Sequence, residues 1–176
     1  LIAIDKEVDY SRPAMRIYNK TNGNYLGSLS ILPYGNSLFS GIASDYNEVY
    51  LYVAGGDGKI RKWNGYEWSD FGDVLENSQG VAYGWNHVFV VHSYNTYEIR
   101  VFKSDGTFVK DISLNNWGDY YMCGLCRGRD NVVNSSESIY VACHYPASVI
   151  KEIEIGDFNQ TDIKITSFGD IKALFK

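Results

Sequence analysis

The stretch Glu98-Ile99-Arg100-Val101-Phe102-Lys103-Ser104-Asp105-Gly106-Thr107-Phe108-Val109 alternates apolar and polar residues, pauses at Ser104-Asp105-Gly106, and alternates again. A period of two marks a strand with one buried face, and Ser-Asp-Gly is turn chemistry, so the stretch reads as a β-hairpin. Its first half recurs. Ile99-Arg100-Val101-Phe102-Lys103 aligns with Ile60-Arg61-Lys62-Trp63-Asn64, with Ile150-Lys151-Glu152-Ile153-Glu154 and with Met15-Arg16-Ile17-Tyr18-Asn19. The shared order is apolar, basic, variable, large apolar, polar.

Eleven residues before three of these anchors stand Val49, Val88 and Ile139, each opening an apolar run. Upstream again are Gly41-Ile42-Ala43, Gly80-Val81-Ala82 and Gly124-Leu125-Cys126: a glycine, a branched aliphatic, a small residue. The gap from glycine to apolar run is eight residues twice and fifteen in the third copy, which carries an inserted loop near Arg129 to Ser136. Each unit therefore reads as four strands, and a four-strand repeat of 39 to 48 residues predicts β-propeller blades. A further glycine, Gly169, opens a last unit that ends at Lys176, and Leu1-Ile2-Ala3-Ile4 supplies the strand that would follow. The expectation is an all-β, four-bladed propeller of four-stranded antiparallel blades, closed by pairing of the C-terminal strand with the N-terminal blade; the alternative is four blades of a larger propeller of six or seven. The chain is then a single domain, 1–176, with blades 169–176 plus 1–40, 41–79, 80–123 and 124–168.

The segment Ile99 to Val109 resembles the outer strands of an NHL-type propeller blade, and Ile60 to Gly72 resembles kelch-like or galactose-oxidase-like blades. Four blades are also similar in number to hemopexin-like domains, whose inner-strand Asp-Ala signature is replaced here by Gly-Ile-Ala, Gly-Val-Ala and Gly-Leu-Cys. These resemblances imply a fold and carry no catalytic residue.

Composition narrows the function. With 45% apolar residues, 176 residues can build a core. Sixteen Lys+Arg against 21 Asp+Glu, without a basic run, give nucleic acid little to bind. The longest apolar runs, such as Val88 to Val91, fall far short of the roughly 20 residues of a membrane helix, so no membrane insertion is expected. Ala54 to Ile60, Ala-Gly-Gly-Asp-Gly-Lys-Ile, lacks the spacing of a phosphate loop and reads as a hairpin turn. Nucleophile elbows, zinc-protease helices and calcium loops are absent from the sequence. An axial metal-dependent hydrolase would need converging carboxylates, and Asp45, Glu48 and Asp130 show no ligand rhythm. No catalytic residue, metal ligand or cofactor is therefore expected. A narrow axis lined by small residues could hold an ion or water on backbone carbonyls.

Cys123, Cys126, Cys143 and His144 invite a zinc reading, but residues three apart on a strand point to opposite faces. The strand alignment instead makes Cys123 and Cys143 neighbours, compatible either with a disulfide or with reduced structural thiols. His87 and His92 read as structural histidines. Trp63, Trp68, Tyr83 and Tyr121 fall at strand ends or loops, and Trp85, Trp117, Tyr46, Tyr66 and Tyr120 are the candidate binding aromatics. Sequons at Asn19, Asn134 and Asn159 mark candidate glycosylation sites and favour an extracellular, cell-surface or virion setting. The function expected is a non-enzymatic protein-interaction or structural module that uses its loops as contact face. The alternatives are a glycan-binding propeller and the axial hydrolase.

Overall fold

The computed structural model describes residues 2–5, 14–30, 39–45, 51–55, 59–73, 78–92, 97–114, 121–129, 137–144, 149–154 and 170–171. Among the described residues, fifteen strands form four antiparallel sheets. The first contains β1 (Ile2–Asp5), β2 (Ala14–Tyr18) and β3 (Tyr25–Ser30). The second runs β4 (Phe39–Ser44), β5 (Leu51–Gly55), β6 (Lys59–Trp63), β7 (Trp68–Asp73). The third runs β8 (Ser78–Gly84), β9 (His87–His92), β10 (Glu98–Lys103), β11 (Phe108–Ser113). The fourth runs β12 (Met122–Arg129), β13 (Glu137–Cys143), β14 (Val149–Glu154), β15 (Asp170–Ile171). In each sheet neighbours in sequence are neighbours in space. This is the meander that a propeller blade requires.

Gly41, Gly80 and Gly124 lie on the innermost strands, and they decide how the sheets meet; Gly169 lies outside the described residues. β8 packs between β4 and β12. A Cβ on Gly41 would stand 2.6 Å from the Val81 nitrogen and 2.7 Å from the Gly80 Cα. One on Gly80 would stand 2.7 Å from the Leu125 nitrogen and 2.9 Å from the Gly124 carbonyl carbon. Neither distance accommodates a side chain, so sheet meets sheet backbone against backbone. In all three inner strands the ladder slips immediately before the glycine, between Phe39 and Gly41, Ser78 and Gly80, Met122 and Gly124. The repeated bulge sharpens the local twist where the strands crowd together.

Away from the glycines the sheets separate, and apolar side chains fill the wedge. β9 shows why His87-Val88-Phe89-Val90-Val91-His92 is apolar on both faces. Phe89 and Val91 join Ile99, Val101, Ile139, Val141 and Ile153 in one cluster, whereas Val88 and Val90 join Tyr52, Ile60, Val81 and Phe102 in another. A strand covered by a sheet on each side needs no polar face. All four of its central residues are fully buried. Truncation of Phe89 to Ala removes about 3–5 kcal/mol by the usual cost of an aromatic cavity.

Three details depart from the sequence reading. First, Leu51, paired with Trp63, occupies the place that Val88, paired with Phe102, and Ile139, paired with Ile153, hold in their sheets. The equal spacing of Val49 hid a β5–β6 connection shorter by two residues: Ala54 pairs with Ile60, whereas Val91 pairs with Ile99 and Ala142 with Ile150. A shift of two preserves every side-chain face, which is why the pattern still matched. Secondly, Cys143 is therefore the counterpart of Gly55 and His92, the partners of Phe39 and Ser78, whereas equal spacing from Val49 and Ile139 would align it with Val53. Thirdly, the expected closure is corrected. Asp170 and Ile171 pair with Lys151 and Ile150, completing the fourth sheet as its outer strand rather than entering the N-terminal one. An apolar-polar alternation this short fits an outer strand as well as an inner one, and β14 offers the nearer edge. Among the described residues the first sheet has three strands with β1 at its edge, and no pairing joins it to the fourth sheet.

The glycine contacts set an asymmetry that thermal unfolding measures. Gly80→Ala is expected to lose about 3 kcal/mol, at the upper end of overpacking costs. At Gly124 an added Cβ meets only the Ala142 side chain, at 3.5 Å, so Gly124→Ala is expected to cost less than about 1 kcal/mol.

Candidate functional site

Because strands alternate in direction, the turns joining first to second and third to fourth strands lie at one end of each four-stranded sheet, and these ends make up one face. The glycine contacts place equivalent positions of the second, third and fourth sheets side by side, so this hairpin face is continuous across them. The hairpin joining the last two strands follows a common plan in the first three sheets. Each has an aromatic pair across the strand ends: Tyr18 with Tyr25, Trp63 with Trp68, Phe102 with Phe108. The ring centroids lie 5.8, 5.3 and 6.1 Å apart, two edge-to-face and the tryptophans tilted. Such pairs add about 0.5–1.5 kcal/mol beyond burial and fix the register beside the turn.

Each turn is closed by a side chain at its start. Asn19 Oδ1 accepts from the Thr21 and Asn22 amides at 2.8 and 3.4 Å. Asn64 Oδ1 accepts from the Tyr66 and Glu67 amides, both at 2.9 Å. Asp105 Oδ1 accepts from the Thr107 amide at 2.9 Å, and this bond, with a second from the Thr107 side chain, holds the Asp105 carboxyl below its ordinary value. These are Asx turns, in which a side-chain oxygen satisfies backbone donors at a chain reversal.

With the backbone satisfied, the tips present apolar rings to water. Tyr66 is 91% exposed, Leu26 64%, Tyr25 56% and Phe108 52%. The Phe108 ring lies under the Arg100 guanidinium, whose carbon is 5.4 Å from the ring centroid. Arg100 is itself held in a two-pronged pair by Asp111, at 2.9 and 3.2 Å. The adjacent Glu98 carboxyl is raised above its usual range by desolvation and by the Asp111 charge, with Arg100 opposing. The third hairpin also reaches back to the second sheet: a Cβ on Gly106 would overlap the Phe71 carbonyl oxygen, and Lys62 donates to the Ser104 carbonyl at 3.4 Å. The Lys62 ammonium lies 5.7 Å from the Tyr52 ring and 5.6 Å from that of Phe71, adding cation–π attraction to this clasp.

Trp85 lies on the same face, in the two-residue turn between β8 and β9, where Gly84 pairs with His87. Trp85 and Asn86 both have positive φ, 49° and 59°, the geometry of a type I′ hairpin. The Trp85 ring is half-buried, edge-on to Phe89 at 5.8 Å and packed against the core. Its packing holds a side chain where asparagine or glycine would be easier. Replacing Asn86 by Gly relaxes one of the two left-handed positions and is expected to raise stability by about 0.5 kcal/mol in denaturant titration.

Of the candidate aromatics, the structure thus brings Trp85 and Tyr66 to one face. Tyr46, Trp117 and Tyr120 lie outside the described residues, as do Asn134 and Asn159. Tyr25, Leu26 and Phe108 were not singled out from sequence, although an aromatic on each side of an Asn/Asp-Gly turn was the available signal.

All three cysteines are free thiols. Cys123 is the extra residue of the β12 bulge, beside the Met122–Cys143 pair, exposed and donating to the Ala142 carbonyl at 3.5 Å. Cys143 is buried and donates to the Val141 carbonyl; desolvation pushes its thiol up to about 11, Lys151 opposing and Cys123 adding. Desolvation also raises Cys126. The two thiols of the candidate bridge are thus neighbours in the reduced form. Iodoacetamide at neutral pH is expected to modify Cys123 in the native protein and Cys143 only after unfolding, because the thiolate is the reactive species; peptide mass mapping reads the order. Among the described residues no three His, Cys, Asp or Glu side chains are grouped to hold a metal ion.

No protein-family model matches the sequence, and no curated protein does. Solved structures do. A chain of the nidogen/laminin complex superposes with a TM-score of 0.62 at 17% identity, covering 90% of this chain and 59% of that one. Myxococcus xanthus glutaminyl cyclase superposes with a TM-score of 0.57 at 15% identity, covering 81% of this chain and 57% of that one. Both are β-propellers, and the likeness gives this chain the same kind of fold. The chain spans less than two thirds of either structure.

Proposed function

We propose that this propeller is a non-enzymatic protein-binding module whose contact surface is the hairpin face. The observation that carries the reading is the row of ring pairs at the outer hairpin tips of three successive sheets, with Tyr25, Leu26, Tyr66 and Phe108 open to solvent. Exposed aromatics on rigid turns lose little conformational entropy when covered, which is why tyrosine and tryptophan dominate binding hot spots. The Asx turns leave few unsatisfied backbone groups at the tips, so contact is made chiefly by ring faces. One propeller of similar fold was solved in a protein complex and the other is an enzyme, so the fold serves both roles. The balance is tipped by what the described residues of the face offer, exposed rings. A cell- or virion-surface setting belongs to the same proposal, supported by the sequons.

The test is capture of binding proteins on the immobilised wild-type chain and on Tyr66→Ala, Tyr25→Ser and Phe108→Ser variants. Tyr66→Ala is expected to weaken a captured partner by about 2 kcal/mol, roughly 30-fold, while circular dichroism and unfolding stay as in the wild type. Undiminished capture by the variant carrying all three substitutions would place the contact surface elsewhere. Tyr66-dependent binding on a glycan array, with no protein retained, would replace this reading by the lectin-like one.

A further inference from the structure

Of the three sequons, Asn19-Lys20-Thr21 is the one whose structure is described, and it forms the tip of the β2–β3 hairpin. The turn is closed by backbone bonds from the Asn19 amide to the Asn24 carbonyl, 2.8 Å, and from the Gly23 amide to the Asn19 carbonyl, 2.9 Å. Two amide donors, Thr21 and Asn22, converge on the Asn19 side chain and so identify its oxygen. Its nitrogen, Nδ2, takes no part in these bonds. Residues Lys20 to Asn24 are exposed, and a Cβ built on Gly23 or on Gly27 meets nothing within 4 Å. The tip thus combines an acceptor amide, a hydroxyl residue two positions on, and open space for a bulky substituent.

We propose that Asn19 is a site of N-linked glycosylation. The donor would be an oligosaccharide on a polyprenyl diphosphate. A bond forms between Asn19 Nδ2 and the anomeric carbon, the bond from that carbon to the diphosphate oxygen breaks, polyprenyl diphosphate leaves, and Nδ2 gives up one proton. No oxidant or reductant is needed. The glycan stands at the turn beyond the Tyr18–Tyr25 pair, on the hairpin farthest in sequence from Phe108. The site does not depend on the binding role proposed above.

The experiment sends the chain, with Asn134→Gln and Asn159→Gln, through the secretory pathway of a glycosylating host and analyses the secreted protein. Peptide-N-glycosidase treatment in heavy-oxygen water is expected to leave a labelled aspartate at position 19 and to remove a glycan-sized mass. Asn19→Asp keeps the turn acceptor and is expected to be secreted, unglycosylated and unchanged in its unfolding. Thr21→Ala is expected to lose the glycan with Asn19 intact. Secreted, folded protein with unmodified Asn19 overturns the proposal, as does a glycan that persists in Thr21→Ala.

Discussion

Everything in this molecule depends on how closely two peptide backbones can approach. Gly41 lies against Gly80, and Gly80 against Gly124, with no room for a side chain between them. That contact sets the convergence of the sheets at their inner edge. Convergence there means divergence outside, and the wedge so created is what the valines, isoleucines and Phe89 fill. The bulge before each glycine belongs to the same device: one unpaired residue per inner strand turns the chain into the crowded centre.

The core follows from this geometry. β9 has a sheet on each side, so its side chains are divided between two clusters, and the second, third and fourth sheets share one continuous packing arrangement. At the periphery, the third hairpin adds contacts at Gly106 and Lys62 to the second sheet. The second and third sheets are therefore held at both ends of the wedge. Ser104-Asp105-Gly106, a turn by its sequence, is also a joint between sheets.

The architecture was legible because the repeat multiplies a weak signal. Four copies of the apolar-basic-apolar anchor and three Gly-aliphatic-small triplets gave the sheets and their inner strands. What sequence hid was whatever preserves side-chain parity. The two-residue shortening after β5 moves no face, so equal spacing from Val49 concealed it. Asp170-Ile171 carries too little pattern to choose between the edges of β1 and β14. At the candidate site, Tyr66 was visible as an aromatic beside Asn64-Gly65, while Tyr25 and Phe108 passed as ordinary strand residues. Their role appears only when Tyr18, Trp63 and Phe102 are seen opposite Tyr25, Trp68 and Phe108, because pairing across a hairpin is a relation and not a property of either residue. Trp85 was singled out as a loop residue, and its ring instead seals the end of the core against Phe89.

The Asx turns also bear on how such a chain can change over generations. Asn19, Asn64 and Asp105 each close a reversal with their own side chain, so the turn is secured by one position. Apart from the left-handed glycines Gly23, Gly65 and Gly106, the residues around it are released from structural duty. Lys20, Tyr66 and Ser104 can drift with little effect on the fold, while Gly41 and Gly80 cannot. Variation is thus channelled to the outer tips, and the scaffold can acquire new recognition properties by substituting residues that the core never used.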